Sequence, residues 1–425
     1  MKYSGIEWIG EIPENWSIVR FKDLYRNKKE IVGDKVAEYE RLALTLNGVI
    51  LRNKEDSEGL QPEKFDGYQI LHKDDFIFKM IDLQNISTSR VGLSPFDGLV
   101  SPAYIRFCPK NENQYSKFVY YFLMSMYYNC VFNSLGGNGV RSALNAVDMG
   151  QLLIPYPNVE EQQVIVNKIE IKCAEIDKLI ANQQAQIDKL KEYKQSVITE
   201  AVTKGLDPTV PMKDSGVEWI GQIPQSWEVV RLKFLLNSPM QYGANESGQL
   251  YDEKCVRYIR ITDITQNGTL KNDDVLYLPL EKAVDYILKD KDVLFARSGA
   301  TVGKTFLFKS RFGKSAFAGY LIKADCDKEK LVPEYLMYFT QSKIYNLWKQ
   351  MIFIQSTIQN IGASKYENMQ VVVPNIETQQ QIADYLDDKC GKIDQLIAIK
   401  QQKIDKLQQY KKSLIYEYVT GKKEV

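Results

Sequence analysis

The sequence predicts an α+β protein written twice: two mixed α/β domains, each followed by a long helix. Three observations carry this. An aromatic opening segment recurs once along the 425 residues, and a long, nearly Gly- and Pro-free polar stretch recurs once further on. Between them lie short apolar runs separated by Gly, Asn and Asp turns, the pattern of strands in a mixed domain. At about 150 residues per domain, two to four domains with real cores are expected.

The first element is the opening itself. Ser4-Gly5-Ile6-Glu7-Trp8-Ile9-Gly10-Glu11-Ile12-Pro13-Glu14-Asn15-Trp16 returns as Ser215-Gly216-Val217-Glu218-Trp219-Ile220-Gly221-Gln222-Ile223-Pro224-Gln225-Ser226-Trp227, offset by 211 residues. The second pair is downstream: Pro157 to Thr203 matches Pro374 to Thr420 at an offset of 217, so the second copy carries six extra residues in between. The central material is far less alike, as Asp75-Phe76-Ile77-Phe78-Lys79-Met80 against Asp292-Val293-Leu294-Phe295-Ala296-Arg297 illustrates. A repeat this long is a duplicated domain, since solenoid repeats span about 20 to 50 residues. A fixed frame around two divergent centres fits simple duplication with drift, or, more sharply, two centres tuned to different ligands.

The downstream segments read as helices. Ile169, Ile176, Leu190 and Val197 recur at heptad positions with Leu179, Ile180 and Ile187 on the same stripe. Leu386, Ile393, Leu407 and Leu414, with Leu396, Ile397 and Ile404, repeat the pattern, and Gln183 and Lys400 interrupt it at matching points. Pro157-Asn158 and Pro374-Asn375 mark the starts; Thr203-Lys204-Gly205 and Thr420-Gly421 mark the ends. Roughly 42 residues at about 1.5 Å each give a rod of roughly 60 Å. Two such stripes in one chain pack most economically on each other, as an antiparallel coiled coil with pseudo-twofold symmetry; pairing of each helix with another chain is the alternative. The expected domains are 1–156, 157–206, 207–373 and 374–425. Within the globular parts, Val293-Leu294-Phe295, Thr305-Phe306-Leu307-Phe308 and Val371-Val372-Val373 read as strands, and 118–132 and 335–351 as one helix in each copy.

Composition narrows the function. Lys+Arg 55 against Asp+Glu 54 leaves a net charge of +1, which excludes a uniformly basic, histone-like coat while allowing local basic patches. The six cysteines are scattered without a C-x-x-C pair, so neither a zinc ribbon nor a disulfide framework is indicated, and a reducing cytoplasm is expected. The opening residues are charged and amphipathic, unlike a signal peptide, and the most apolar stretch, 118–135, holds too many Tyr, Ser and Asn for a membrane span. With one histidine, His72, His-rich metal sites and paired-His acid/base schemes are excluded.

The catalytic motifs are likewise missing. Ser298-Gly299-Ala300-Thr301-Val302-Gly303-Lys304-Thr305 approximates a phosphate-binding loop but has Ser where the first Gly is required, and reads as a Gly-rich hairpin turn. No F-x-G-x-G or [ND]-P-P-[YF] segment of an adenine methyltransferase is present, and no carboxylate cluster followed by lysine suggests a nuclease. The acidic pairs Asp74-Asp75, Asp273-Asp274 and Asp387-Asp388 read as turn or rod-surface residues. A non-enzyme is expected.

What the divergent centres do hold is the inventory of a DNA reader: Arg, Lys, Asn, Gln, Ser and Thr on turns. In the first copy the candidates are Lys79, Gln84, Asn85, Ser87, Thr88, Ser89 and Arg90, then Asn138 and Arg141. In the second they are Gln241, Tyr242, Asn245, Arg257, Arg260, Arg297, Ser298, Thr301 and Lys304, then Gln355, Ser356, Thr357, Gln359 and Asn360. Arg suits bidentate contact with guanine and Asn or Gln with adenine, each discriminating by about 1–3 kcal/mol. Lys and backbone N–H groups in Gly-rich turns hold phosphates.

The matched segments also resemble a family. Trp8-Ile9-Gly10-x-Ile12-Pro13-x-x-Trp16 and its second copy look like the opening of target recognition domains in specificity (S) subunits of type I restriction–modification systems. Similar to that family too are 292–304, Ser101-Pro102-Ala103-Tyr104, the Pro-x-x-x-Glu/Thr-Gln-Gln entry to each rod, and Ala201-Val202-Thr203-Lys204-Gly205-Leu206. The resemblance covers essentially the whole chain. It implies that each domain reads one half of a split double-stranded DNA target from the major groove while the rods fix the gap. It further implies docking of two methyltransferase (modification) subunits, which carry S-adenosylmethionine, and of restriction (endonuclease/translocase) subunits, which use ATP and Mg²⁺. No cofactor is then expected in this chain, and no membrane. Because the two centres differ, an asymmetric bipartite target follows. The Thr-Val-Gly-Lys-Thr run has no counterpart in the first copy, so no shared contact role for Arg297 or Lys304 carries over to domain one. The alternative from another class is a coiled-coil scaffold that assembles protein partners without touching DNA; the Trp-rich openings and the two divergent polar regions argue against it.

Overall fold

The computed structural model describes all residues except 46–47, 56–63, 81–82, 84–89, 112–113, 136–142, 266–267, 300, 355–358 and 425. The chain divides into two compact units, residues 1–183 with 402–425, and residues 184–401.

In the first unit, Phe76–Phe78 is a strand whose three residues are all buried, as its unbroken apolar run requires. It sits in a four-stranded sheet ordered Tyr25–Asn27, Ile105–Pro109, Phe76–Phe78, Val91–Leu93. A second sheet runs Gly48–Arg52, Arg41–Thr45, Gly98–Val100, Gln69–Leu71, with one parallel step where Leu99 pairs with Arg41. Ser17–Arg20 pairs with Leu153–Tyr156 to tie the opening segment to the residues before the long helix. Aromatic rings fill the core: Phe21 lies 4.9 Å from Phe107, and Trp16 meets Phe118 edge-on at 6.0 Å.

The second unit repeats this plan with different residues. Its sheets run Gln241–Tyr242, Leu321–Ala324, Val293–Ala296, Thr305–Leu307 and Leu276–Pro279, Cys255–Ile259, Ser315–Phe317. The parallel step survives as Ala316 beside Tyr258, and Glu228–Arg231 pairs with Gln370–Val373.

Two long helices, Val159–Lys204 and Ile376–Val419, complete the chain. Each begins with an asparagine cap: Asn158 Oδ1 accepts the Glu161 N–H and Asn375 Oδ1 the Thr378 N–H, both at 2.8 Å. Each ends at a glycine with positive φ, Gly205 at +82° and Gly421 at +69°. In the first unit Ile165, Ile169 and Cys173 share one core with Leu414, Ile415, Tyr418 and Val419 of the other helix. In the second, Val197, Ile198, Ala201 and Val202 share one with Ile382, Leu386 and Cys390. A lysine crosses to an aspartate in both: Lys411 to Asp177 and Lys194 to Asp394, each 2.7 Å.

Three expectations are corrected and a fourth is sharpened. Leu179 and Leu396 are exposed, outside the buried stripe, while Leu190 and Leu407 are only partly buried. The single helix expected over 118–132 is two, Ser116–Tyr128 and Val131–Leu135, broken where Cys130 takes φ +56°. That over 335–351 is also two, Pro333–Phe339 and Lys343–Ile354. Here Thr340 and Ser342 hydroxyls donate to the Met337 and Phe339 carbonyls at 2.9 and 2.6 Å, offering the backbone an alternative to continued helix. Asp75 does belong to a turn, but a buried one: it and Arg106 are each 2% exposed and paired at 2.6 Å.

Candidate nucleic-acid interface

The same turn leads into the central strand of both copies. Asp75 Oδ2 accepts the His72 N–H and Asp292 Oδ2 the Lys289 N–H, both at 2.8 Å. Between them Asp74 and Lys291 adopt positive φ, +65° and +73°, which only that capped turn makes tolerable for non-glycine residues. Burial pushes the Asp75 carboxyl above its usual range despite the opposing Arg106 charge, and Asp292 shifts the same way for the same reason. Glu30 lies on the other side of Arg106 at 3.2 Å. Burial raises its carboxyl, but the bond and charge of Arg106, with His72 and Lys28, outweigh this and lower it.

At the far end of the strand the copies part. The Leu144 N–H donates to the Met80 carbonyl at 3.1 Å, and the Ile361 N–H to the Arg297 carbonyl at 2.8 Å, equivalent bonds at an offset of 217. Met80 is buried in the core of its unit. Arg297 instead places its guanidinium carbon 5.0 Å over the Tyr242 ring. Among the described residues its buried Nε has no hydrogen-bond partner, and neither does the buried Oδ1 of Asn360, whose backbone bridges to Ser298. Tyr242 is held in turn, since its hydroxyl accepts the Ala363 N–H at 2.9 Å.

The turn beyond Arg297 joins Val293–Ala296 to Thr305–Leu307, an antiparallel pair. Gly299 and Gly303 have φ +78° and +79°. A side chain at Gly303 would be strained by that φ and would push Lys349 aside, since a Cβ there would meet its Cδ at 2.3 Å. Lys349, on the helix Lys343–Ile354, sets its ammonium 5.0 Å over the Tyr345 ring, and the Tyr345 hydroxyl donates to the Gly303 carbonyl at 2.7 Å. Lys304 donates to the Thr265 carbonyl at 2.9 Å. Burial lowers the pKa of both lysines, with no carboxylate opposing it.

Of the residues singled out from the sequence, the structure therefore gathers Tyr242, Arg297, Ser298, Thr301, Lys304 and Asn360 around one turn, with Gln359 exposed beside them. Gln241 lies on the same strand as Tyr242 and donates to the Asp285 carbonyl at 2.8 Å. Arg260 is occupied elsewhere, bracing its own turn through Asp263 at 2.7 Å and the Asp274 carbonyl at 2.8 Å. In the first copy Lys79 and Arg90 are joined through the backbone, Lys79 N–H to Arg90 carbonyl at 2.9 Å, and Arg90 is buried rather than presented on a turn. Gln84, Asn85, Ser87, Thr88, Ser89, Asn138 and Arg141, and Gln355, Ser356 and Thr357, lie outside the described residues. Lys349 was not singled out. The signal for it is local: no acid stands three or four residues away on its helix to neutralise it.

Among the described residues no group of three or more His, Cys, Asp or Glu could hold a metal ion, and no helix is long and apolar enough to cross a membrane.

Comparison with known proteins bears on this arrangement. The chain is 24% identical over 422 residues to the type I restriction enzyme MjaVIII specificity subunit of Methanocaldococcus jannaschii, covering 97% of this chain and 93% of that one. It is 23% identical over 280 residues to the type I restriction enzyme EcoKI specificity subunit of Escherichia coli, covering 63% and 57%. Its fold is similar to a chain in a solved structure described as "Structural basis underlying complex assembly and conformational transition of the type I R-M system". The TM-score is 0.71 at 15% identity, over 97% of this chain and 99% of that one. A family described as the type I restriction modification DNA specificity domain matches residues 13–191 and again 224–409, one match per copy, and the chain belongs to that family.

Proposed function

We propose that this chain is the DNA sequence-specificity subunit of a type I restriction–modification complex, reading an asymmetric bipartite target with one domain per half-site. The observation that carries this is the double family match, one on each copy, with a different central turn in each. In this reading the recognition domains are 1–156 and 207–373, and the segments 157–206 and 374–425 pair as an antiparallel coiled coil with pseudo-twofold symmetry. The reciprocal ion pairs of Lys411 with Asp177 and Lys194 with Asp394 support the pairing, because the repeat offset of 217 residues exchanges their partners. The chain is non-catalytic. Two modification subunits supply the S-adenosylmethionine site, and restriction subunits act with ATP and Mg²⁺.

Mapping DNA methylation in the host with this gene present and deleted tests the reading. Loss of methylation at one split, asymmetric motif is the expected result. A palindromic motif contradicts the asymmetry, and no change at all favours a scaffold that assembles proteins without reading DNA. The ruler role has a separate test. Deleting seven residues from one long helix alters the spacer of the recognised motif or abolishes binding, because the half-sites must stay in phase with the duplex. An unchanged spacer would sink it.

A further inference from the structure

Arg297 is a feature of the second domain that the shared frame does not require. At the equivalent place the first domain puts Met80 into its core, with the same backbone bond retained. Arginine there forgoes that apolar burial, and among the described residues its guanidinium makes no hydrogen bond or ion pair, only the 5.0 Å contact with Tyr242. Its main chain is fixed on both sides, N–H to the Tyr320 carbonyl at 3.0 Å and carbonyl from the Ile361 N–H at 2.8 Å. A planar cation laid on an aromatic ring and anchored at the backbone is pre-organised, and its unfilled donors await an acceptor. Lys304 and Lys349 differ in kind. They are compact charges on flexible stems, on the Gly299–Gly303 turn and the helix behind it, with no ion-pair partner among the described residues.

We propose that Arg297, carried on Tyr242, reads a guanine in the half-site taken by the second domain, while Lys304 and Lys349 seat the neighbouring backbone phosphate. The proposal rests on the DNA-specificity reading above. It deepens that reading by assigning base readout to one side chain and sequence-independent grip to two others. A fixed guanidinium plane suits the paired O6 and N7 acceptors of guanine, whereas phosphate asks only for charge. Met80 sets no such reader at the equivalent place in the first domain, so this guanine contact belongs to the second domain's half-site.

The experiment selects binding sites from a randomised duplex library with the complex of this chain and its modification subunits, comparing wild type, Arg297→Ala, Arg297→Lys and Lys349→Gln. Wild type is expected to enrich a split motif with guanine at a fixed place in one half. Both Arg297 variants lose preference at that one position by about tenfold or more and leave the other half unchanged. Lys349→Gln keeps the motif, weakens binding to all sequences alike and lowers the salt slope by about one. If Arg297→Lys retains the full guanine preference, the assignment is wrong while the specificity reading stands. If Arg297→Ala erodes both halves together, the residue is structural and the assignment is again wrong. If wild type enriches no motif, the reading beneath the proposal fails.

Discussion

The two copies share a backbone and differ in what they set at the end of it. Asp75 and Asp292 cap the same turn, Asp74 and Lys291 take the same unusual φ, and Met80 and Arg297 accept equivalent hydrogen bonds. Where that strand ends, one copy points a thioether into its core and the other sets a cation on a tyrosine. Duplication therefore preserved hydrogen-bond geometry, which side chains seldom alter, and left the turn ends free to change chemistry.

The deepest difference is beneath the turn. Arg106, beside Asp75, is fully buried and bonded to it, whereas its counterpart Lys323 is half-buried, with its ammonium 5.8 Å over Phe317. Asp75→Ala leaves the buried Arg106 guanidinium with Glu30 as its remaining ion partner and is expected to destabilise the first unit by about 3 kcal/mol, the lower end for breaking a buried pair. Asp292→Ala removes mainly the turn cap, at about 1 kcal/mol. Denaturant unfolding of the full chain, followed by a probe in each unit, measures both; equal losses would show that the buried pair adds nothing.

A smaller contrast lies at the openings. Trp16 Nε1 donates to Glu161 at 2.8 Å, but position 378 is Thr, and the Trp227 indole N–H has no hydrogen-bond partner among the described residues. Trp16→Phe is expected to cost about 2 kcal/mol more than Trp227→Phe, the worth of a bond to a charged acceptor. The added mutation Glu161→Thr should abolish the difference; a gap that survives it would falsify the assignment.

The helix lysines should show the least. Lys411→Ala and Lys194→Ala each remove an exposed ion pair worth about 0–1 kcal/mol, and the two losses should match within error. A large difference between their melting temperatures would mean that the equivalence of the two pairs is only geometric.

Much of this was legible in the sequence because repetition is independent of context. The openings, the capped helix starts and the glycine ends are local signals, and each is found where Asn158, Asn375, Gly205 and Gly421 indicated. Periodicity alone did not place Leu179 and Leu396, since a heptad pattern says which residues can line up and packing decides which are covered. It also missed the helix breaks, where Ser and Thr hydroxyls compete with the backbone and Cys130 takes a conformation composition does not announce. At the candidate interface Arg297, Ser298 and Lys304 were recoverable from residue type on a Gly-rich turn. Lys349 was not, because it reaches that turn from a helix 45 residues further on, a proximity that only the fold creates.

The division of the chain has a consequence for its birth on the ribosome. The second unit is one continuous segment, 184–401, complete as soon as it has emerged. The first is discontinuous, and Leu414, Ile415, Tyr418 and Val419 belong to its core. At roughly 5–20 residues per second, the segment synthesised first waits on the order of ten to fifty seconds for the residues that close it. Through that interval Ile165, Val166 and Ile169 lack part of their apolar cover. Translation thus matures the later-made recognition domain before the earlier one, and the nascent chain's period of greatest exposure to aggregation falls on its own N-terminal half.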